Sequence, residues 1–471
     1  MSNALIVPQV LARPRRRTVI VVALWIAVAA AVAIRSRVML AHPLPPGVPW
    51  LESGTDRYFL DFRDTIWTPG RFLLEGGNPY DPQSYQAAYP WALAFSLYAP
   101  VWLILAAALA PLPYLASIIV FQVISLAVAI LMLTMLFRWT LPDHVDLAVP
   151  VALLWMNIWY PGRGALTVQL TTLLAVIGLT LVLRTVCQPR AESASTIDRA
   201  DDRAGAWGVA LSLLKPQFLT MAIVGLAAGR VRMVVRGVAG LALASLPVLV
   251  VCTLAAGGPI EFITSVRRDL DVANSAHHPS GLMFPGQRRL DLLGQAVRWG
   301  SGEPPGWLQV LVPLLFLVIL PVIVVRLTRR PLAVSVVVCT STLIGVYHGT
   351  YDVLILFIPA AIGLGMALRG ELTRAGDRIA MLACLGVIVH LQTITTSLLP
   401  GFDYRDADIV NLLLLIVGLI AGLHTAWADH RESGNAGDRT RAPVATSSSN
   451  RHDSDQPEGD PLGSTWHAHP S

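Results

Sequence analysis

The chain has 471 residues, of which 54% are hydrophobic and 14% charged, and its mean hydropathy is +0.59. Soluble globular proteins carry charge on about a quarter of their residues, so this composition excludes a water-soluble enzyme built around a single core. The formal net charge of +5 comes from cationic residues that gather beside apolar runs. We therefore interpret it as a signal of membrane orientation rather than of nucleic-acid binding, and predict an all-α polytopic membrane protein.

The first predicted element is a membrane span. Segment 1–17 is basic, and the apolar run 18–34 that follows it is closed by Arg35 and Arg37. The positive-inside rule places segment 1–17 in the cytoplasm. Because no small-residue cleavage site follows, the run is interpreted as a retained signal anchor, and the next segment is predicted to lie outside.

That next segment, 42–90, is a predicted outer loop that is polar, aromatic and rich in Pro and Gly. It is too long for a tight connection, so we expect it to hold structure of its own. Thr68-Pro69 is typical of a helix start and Gly76-Gly77 of a helix end. Two short helices on the membrane surface are therefore predicted.

Further apolar segments follow along the chain. They cover approximately 92–111, 116–137, 147–160, 166–187, 206–228, 231–256, 307–326, 331–347, 353–368, 379–396 and 409–427. A span needs about 20 apolar residues, so the short and Pro-broken segments are candidates for re-entrant or packed helices, and about nine to eleven crossings are predicted. Arginine clusters at the span ends place 257–305 in a second outer loop, while the topology of 92–205 stays open. Segment 428–471 is predicted to be a disordered cytoplasmic tail.

Several common sites are not supported by the sequence. It contains no Walker loop, GxSxG, HExxH or GxGxxG ahead of a helix, which argues against nucleotide-driven transport and hydrolase chemistry. The four cysteines stand singly in or beside apolar stretches, so we interpret them as side chains that pack helices.

A first candidate cluster lies just after the first span. Asp56, Asp61 and Asp64 are interspersed with Arg57 and Arg63. These carboxylates could supply a general base for an acceptor hydroxyl, or ligate a divalent cation bound to a phosphate. The competing interpretation is a solvated surface turn with salt bridges.

A second candidate is Lys215, the only lysine of the chain, which lies in the apolar segment 206–228. An ammonium in a low dielectric could hold a lipid phosphate. Alternatively, it extends to the membrane interface or pairs with a buried acid. Pro216 is predicted to break the helix at this point and to leave two half-helices.

Two further polar groups are candidates. Tyr347, His348, Tyr351 and Asp352 could bind a sugar or assist a proton transfer, or could form a plain interfacial turn. The second outer loop holds a group able to bind a phosphate or a glycan: Arg267, Arg268, Asp269, Asn274, His277 and His278. Adjacent histidines alone are poor support for zinc.

In order along the chain, several of these residues form a pattern. It consists of Asp61-Phe62-Arg63-Asp64, the run Leu73–Asp81, Tyr89-Pro90, Val168-Gln169-Leu170, Leu214-Lys215-Pro216, Tyr347-His348 and Tyr351-Asp352. The pattern resembles glycosyltransferase family 87, the GT-C-type transferases of actinobacteria that use polyprenyl-phosphate sugars and include mannosyltransferases and arabinofuranosyltransferases. Trp91 and Thr171 depart from the family pattern, and Asp56 is not adjacent to Asp61; these departures concern the sugar and the acceptor more than the fold.

The resemblance implies a GT-C-like bundle of about nine to eleven transmembrane helices over 18–427, with a structured first outer loop. It also implies an inverting transfer on the outer face of the plasma membrane, from a polyprenyl-phosphate sugar to a lipid-linked or polysaccharide acceptor. Asp61 would be the base and Asp64 a supporting acid or acceptor-binding group. The donor phosphate and the substrates would contact a wider set: Lys215, Arg63, Arg267, Arg268, Gln169, His348, Tyr351 and Asp352.

No nucleotide is needed for this reaction, and a divalent cation is left open. The main alternative is a carrier or flippase for a polyprenyl lipid without transfer activity, in which Lys215 and the arginines would bind phosphate during passage. A purely structural membrane subunit is a third reading, but it would leave the concentration of acids and aromatic residues in loop 42–90 unexplained.

Overall fold

A computed structural model describes most of the chain. The described residues are 14–41, 59–95, 98–188, 196–275, 278, 281–283, 290–300, 302–346, 350–389 and 404–440. Within these ranges the regular elements are all helices, which confirms the all-α prediction. The chain divides into a unit over Met1–His430 and a second over Arg431–Ser471, and the described part of the second is the end of the last helix.

The first part of the chain forms one long helix and a group of short ones. They are α1 (Pro14–Ala41), α2 (Leu60–Phe62), α3 (Thr68–Leu74), α4 (Pro82–Ala88) and α5 (Trp102–Leu109). A π-helical turn over Arg63–Trp67 joins α2 to α3. α3 begins at Thr68 with Pro69 in its first turn, at the predicted start, but Thr68 does not cap it, because Trp67 before it already has helical torsion angles. The predicted end is confirmed: Gly76 adopts φ of 85°, a left-handed conformation that glycine tolerates best.

The middle of the chain contains two breaks that matter for the site. Its helices are α6 (Tyr114–Thr140), α7 (Val145–Ile158), α8 (Tyr160–Val168), α9 (Leu170–Cys187), α10 (Thr196–Ser212), α11 (Thr220–Ala227) and α12 (Val231–Ala255). Segment 166–187, predicted as one apolar element, is interrupted at Gln169. Segment 206–228 is interrupted before Pro216, as predicted, because a residue that precedes proline disfavours the helical region and Lys215 is extended.

The last part of the chain returns through the bundle. Its helices are α13 (Pro259–Ala273), α14 (Leu292–Trp299), α15 (Gly306–Pro313), α16 (Leu320–Leu327), α17 (Pro331–Gly345), α18 (Phe357–Leu368), α19 (Ala375–Val389) and α20 (Tyr404–Thr440). A π-helical turn joins α15 to α16, and a 3₁₀ turn over Thr350–Leu356 leads into α18. Because α20 continues to Thr440, the predicted start of the disordered tail at 428 lies inside a helix, and residues 441–471 lie outside the described ranges.

Seven helices among the described residues are long and apolar enough to cross a membrane. They are Arg15–Ala41, Tyr114–Thr140, Leu170–Cys187, Val231–Ala255, Gly306–Leu327, Tyr351–Leu368 and Asp408–Ser433. Pro216–Ala227 and Pro331–Gly345 are shorter apolar helices. The protein is therefore an all-α polytopic membrane protein. The number of about nine to eleven crossings stays a prediction, since segment 379–396 runs into residues outside the described ranges.

The helices divide into a buried centre and a lipid-facing periphery. α9 and α17 are buried along most of their length, whereas α1 and α12 leave most of their apolar side chains exposed. Gly178 of α9 and Gly208 of α10 lie so close together that a Cβ on either would meet the backbone of the other helix. Such close approach through small residues is how helices associate where lipid replaces water. The four cysteines are free and buried, which confirms their predicted packing role.

The short helices α2 and α3 of the predicted first outer loop are packed into the protein rather than lying on the membrane surface. Residues 62–70 are buried, and the ring of Phe62 lies 5.0 Å from that of Phe121 and 6.0 Å from that of Tyr114, both on α6. The predicted surface position is therefore wrong for α2 and α3. The aromatic side chains that made this loop look interfacial fill the space between it and the bundle.

Gly70 makes the contact between α3 and α5 possible, since a Cβ there would overlap the backbone carbonyl of Ala106. We expect Gly70→Ala to destabilise the protein by about 1–3 kcal/mol, because the two helices must separate to admit the methyl group. The free energy of unfolding in detergent measures this. Gly240→Ala on α12 is the control, because a Cβ there would meet open space and should be neutral. Equal stabilities of the two variants would contradict the close contact.

Candidate functional site

A buried ion pair lies at the centre of the site. Nζ of Lys215 is 2.6 Å from Oδ1 of Asp352, and the two side chains are 2% and 0% exposed. The hydroxyl of Thr172 donates to the same Oδ1 at 2.7 Å and accepts from Nζ of Lys215 at 3.0 Å. Each charge is thereby compensated by the other and by a hydroxyl, the condition under which a buried ion pair is tolerated.

Local chain geometry explains why these groups meet. Lys215 lies at the break before Pro216, Asp352 in the 3₁₀ turn that precedes α18, and Thr172 in the first turn of α9. Tyr351, beside Asp352, places its ring centroid 4.8 Å from Nζ of Lys215, a cation–π contact. The site is therefore built where helices end, and the lysine is held by three groups from two other segments.

Asp61 adds a second carboxylate next to this pair. Nε2 of Gln169 donates to Oδ2 of Asp61 at 2.7 Å. The amide of Gln169 is oriented by hydroxyl groups, because its Oε1 accepts from Tyr98 and from Thr171, each at 3.4 Å. The oxygen of the amide is thereby occupied, and its NH₂ group is turned toward the carboxylate.

The environment of Asp61 differs from that of the ion pair. Burial raises the pKa of Asp61, while the hydrogen bond from Gln169 and the charge of Lys215 lower it and the charge of Asp352 raises it. Asp61 is nonetheless partly exposed, and within the described ranges its Oδ1 accepts no hydrogen bond. Since Lys215 is already neutralised by Asp352, Asp61 is the carboxylate of this group with an oxygen free to act on a ligand.

The structure thus brings together five of the ten residues to which the resemblance gives a role: Asp61, Gln169, Lys215, Tyr351 and Asp352. Two members of the group, Thr172 and Tyr98, were missed. Thr172 had a signal, because Gln169 is followed after one residue by Thr171 and Thr172 within an otherwise apolar segment. Tyr98 had none, since its contact with Gln169 depends on how distant segments pack.

Arg63 and Asp64 form a separate buried pair. Nε of Arg63 is 2.7 Å from Oδ1 of Asp64, and both side chains are at most 2% exposed. Arg63 also donates to the carbonyl of Trp91 at 3.2 Å and stacks on its ring, while the N–H of Leu93 donates to Asp64 at 3.3 Å. Burial raises the pKa of Asp64 to about 6, against the opposing effect of Arg63. These contacts place the pair in the support of the loop, away from the roles predicted for it in binding phosphate and acceptor.

The remaining candidate residues lie elsewhere. Arg267 and Arg268 are exposed on α13, which packs on α4 and α12 rather than on the helices around Lys215. His348 and His277 lie outside the described residues. His278 is buried, and burial lowers its pKa.

Asp269 has a different environment from its exposed neighbours. Its side chain is fully buried, and neither carboxylate oxygen has a hydrogen-bond partner among the described residues. Burial and the nearby Asp81 raise its pKa to about 8. Tyr80, which also interacts with Asp269, packs its ring on Phe262 of α13. Asp269 is therefore mostly protonated at neutral pH and is a neutral group on α13, the helix that packs on α4.

The chain matches no family model, no curated protein and no solved structure. The site is therefore interpreted from its own geometry. Over the described part of the chain, no group of three or more His, Cys, Asp or Glu side chains could hold a metal ion, and the use of a divalent cation stays open.

The ion pair predicts a large asymmetry between single and double substitutions. Lys215→Met removes the ammonium that lies 2.6 Å from the buried carboxylate of Asp352, so we expect a loss of about 3–5 kcal/mol in the free energy of unfolding in detergent. Lys215→Met combined with Asp352→Leu should recover most of that loss. The control is Arg17→Gln, which removes an exposed pair with Asp146 and should cost less than about 1 kcal/mol. A double variant no more stable than Lys215→Met would contradict mutual neutralisation.

The raised pKa of Asp269 predicts a pH dependence of stability. The folded state binds this proton more tightly than the unfolded state, in which aspartate has a pKa of about 3.9, so stability falls as pH rises toward about 8. Asp269→Asn should remove the fall between about pH 6.5 and about pH 8 and be more stable than wild type by a few kcal/mol at the upper end. Thermal unfolding across this range measures it. A variant that keeps the wild-type slope would show that another group titrates.

Proposed function

We propose that the protein is a membrane glycosyltransferase. It would transfer a mannosyl or arabinofuranosyl residue from a polyprenyl-phosphate donor to a cell-envelope glycan or glycolipid. The observation that supports this best is the state of Asp61: a partly exposed carboxylate whose Oδ2 is fixed by Gln169 and whose Oδ1 accepts no hydrogen bond within the described ranges. The resemblance of its sequence context to glycosyltransferase family 87 gives the donor class.

In this proposal Asp61 is the general base. It accepts the proton of the acceptor hydroxyl while the acceptor oxygen forms a bond to the anomeric carbon of the donor sugar. The bond from that carbon to the phosphate oxygen breaks with inversion, and the lipid monophosphate leaves with the bonding electrons. The raised pKa of Asp61 favours this role, because a more basic carboxylate takes a larger share of the proton in the transition state.

The ion pair beside Asp61 supports the same role indirectly. Lys215 and Asp352 act electrostatically on the Asp61 carboxylate in opposite directions. If Lys215 were unpaired, it would hold Asp61 as a salt bridge and weaken it as a base. With Asp352 in place, the lysine contributes to the ionisation of Asp61 without binding it, since the ammonium bonds are directed to Asp352 and Thr172.

The outer face is the side on which we place the reaction. The basic residues ahead of α1 favour a cytoplasmic N-terminus, and α1 then delivers the loop that carries Asp61 to the opposite side. A donor attached to a polyprenyl lipid would reach this side after translocation, and no nucleotide would be consumed in the transfer.

The substitution that tests this function is Asp61→Asn, which keeps the shape and removes the base. With purified protein and a polyprenyl-phosphate sugar, we expect transfer to fall by about 10²- to 10⁴-fold while binding of the lipid donor is retained. Glu75→Gln is the control: Glu75 is an exposed carboxylate of the same loop, bound by the hydroxyl of Tyr89, and its loss should leave transfer unchanged.

Undiminished transfer by a folded Asp61→Asn protein would overturn the role of Asp61. A wild-type protein that moves the lipid between leaflets without transferring its sugar, equally well with and without the Asp61 carboxylate, would instead favour the carrier.

A further inference from the structure

A cavity of about 350 Å³ opens on the side of the bundle between α1, α7 and α8. Its volume lies within the roughly 300–1,000 Å³ usual for small-ligand pockets. Two arginines, Arg35 of α1 and Arg163 of α8, are among the residues that line it, and none of the described lining residues is acidic. The described wall of the cavity therefore presents two guanidinium groups.

Arg35 is the informative member of this pair. Its side chain is buried, and its Nε and Nη1 atoms have no hydrogen-bond partner among the described residues. Arg163 is close enough to act on it as a like charge. A buried guanidinium whose N–H groups lack partners is costly, so an anion that binds in the cavity would restore hydrogen bonds to Arg35.

The position of the cavity indicates where such an anion comes from. Arg35 lies 18 residues after Arg17, a rise of about 27 Å along α1 and close to the thickness of the hydrocarbon core. Arg17 bonds Asp146 at one end of the helix, so Arg35 lies near the opposite membrane boundary. Around it, Ile34, Val38 and Ile158 are between 51% and 66% exposed and present an apolar rim.

We propose that this cavity binds the phosphate group of a lipid, held between Arg35 and Arg163, with the lipid chain leaving across the apolar rim. The planar guanidinium of arginine forms paired hydrogen bonds with phosphate oxygens, and a site near the membrane boundary suits a phosphate on an acyl or isoprenoid chain. A soluble phosphate offers the same oxygens but no group for the rim. Both sources would present a phosphate monoester or diester to the arginines, and the apolar rim favours the form that is attached to a lipid.

α8 relates this cavity to Asp61. Arg163 faces the cavity near the start of α8, and Gln169, which binds Asp61, directly follows its end, a rise of about 9 Å. Met39, another lining residue, accepts a hydrogen bond from the hydroxyl of Thr167 at 3.6 Å, two residues before Gln169. If the proposed function holds, the lipid bound here is the sugar donor, and its phosphate is kept apart from the carboxylate that acts on the acceptor.

The test compares Arg35→Gln with Arg37→Gln, which removes an exposed arginine from the same end of α1. Full-length protein in nanodiscs of neutral lipid is titrated with an undecaprenyl monophosphate, with the uncharged undecaprenol and with inorganic phosphate, and binding is measured by native mass spectrometry. We expect wild type and Arg37→Gln to bind the lipid phosphate alike, and Arg35→Gln to bind it roughly 10- to 100-fold more weakly. Arg35→Lys, which keeps the charge but loses the paired geometry, should fall between them.

The three ligands separate the sources of the anion. Weak binding of undecaprenol and of inorganic phosphate, relative to the lipid phosphate, supports a site that needs both parts. Equal binding of undecaprenol would reduce the cavity to an apolar cleft, and equal binding of inorganic phosphate would make it a site for the free ion; either result overturns the proposal. So does an Arg35→Gln protein with wild-type stability and wild-type affinity for the lipid phosphate.

The outcome is separable from that of the proposed transferase. Loss of lipid-phosphate binding in Arg35→Gln together with undiminished transfer in Asp61→Asn would uphold this site and overturn the proposed role of Asp61. The reverse pattern would uphold the role of Asp61 as base and place the donor phosphate elsewhere.

Discussion

The ion pair between Lys215 and Asp352 is the interaction on which the arrangement of the interior depends. It joins residues 137 apart in the sequence, and Thr172 connects both of them to α9. Inside a membrane protein no bulk water solvates an isolated ammonium or carboxylate, so neither ion is stable without the other. The break before Pro216, the start of α9 and the turn before α18 are therefore fixed relative to one another by charge as well as by packing.

The pair also determines what kind of chemistry the site supports. Asp61, Lys215 and Asp352 together carry one net negative charge when all three are ionised, and this charge belongs to Asp61, the partly exposed member. A net negative group attracts a hydroxyl proton and repels a phosphate. A lone lysine in an apolar segment suggested the opposite, a cation available to bind a phosphate. Its buried partner argues against that role, and the lipid phosphate that we propose as a ligand is assigned instead to the separate cavity lined by Arg35 and Arg163.

Features that involve residues close together in the chain could be predicted from the sequence, whereas contacts between distant segments could not. Composition predicted the fold class, Pro216 predicted the break in its helix, and the isolation of Lys215 marked it as unusual. The partner of Lys215 was among the candidate residues, but a separation of 137 positions leaves no periodic signal of the pairing. The contacts of Arg63 could not be predicted for the same reason, because only the folded loop shows that it binds Asp64 and the carbonyl of Trp91. The sequence showed Arg35 only as the residue that closes the first span. Its burial could not be predicted, because it depends on the packing of α7 and α8 against α1.

The difficulty of counting spans and the location of the site have one physical cause. The apolar segments 147–160, 166–187 and 206–228 become α7 through α11, with interruptions next to Asn157, Gln169 and Lys215. A continuous helix forms its backbone hydrogen bonds internally and presents only side chains. An interruption leaves backbone N–H and C=O groups that need polar partners, and it therefore brings polar residues into the interior. Averaged over a window, the hydropathy of a segment with such an interruption resembles that of a weak or short span. In this protein the interruptions lie next to the Asp61 group and the arginine cavity, so breaks between helices contribute residues to both candidate sites.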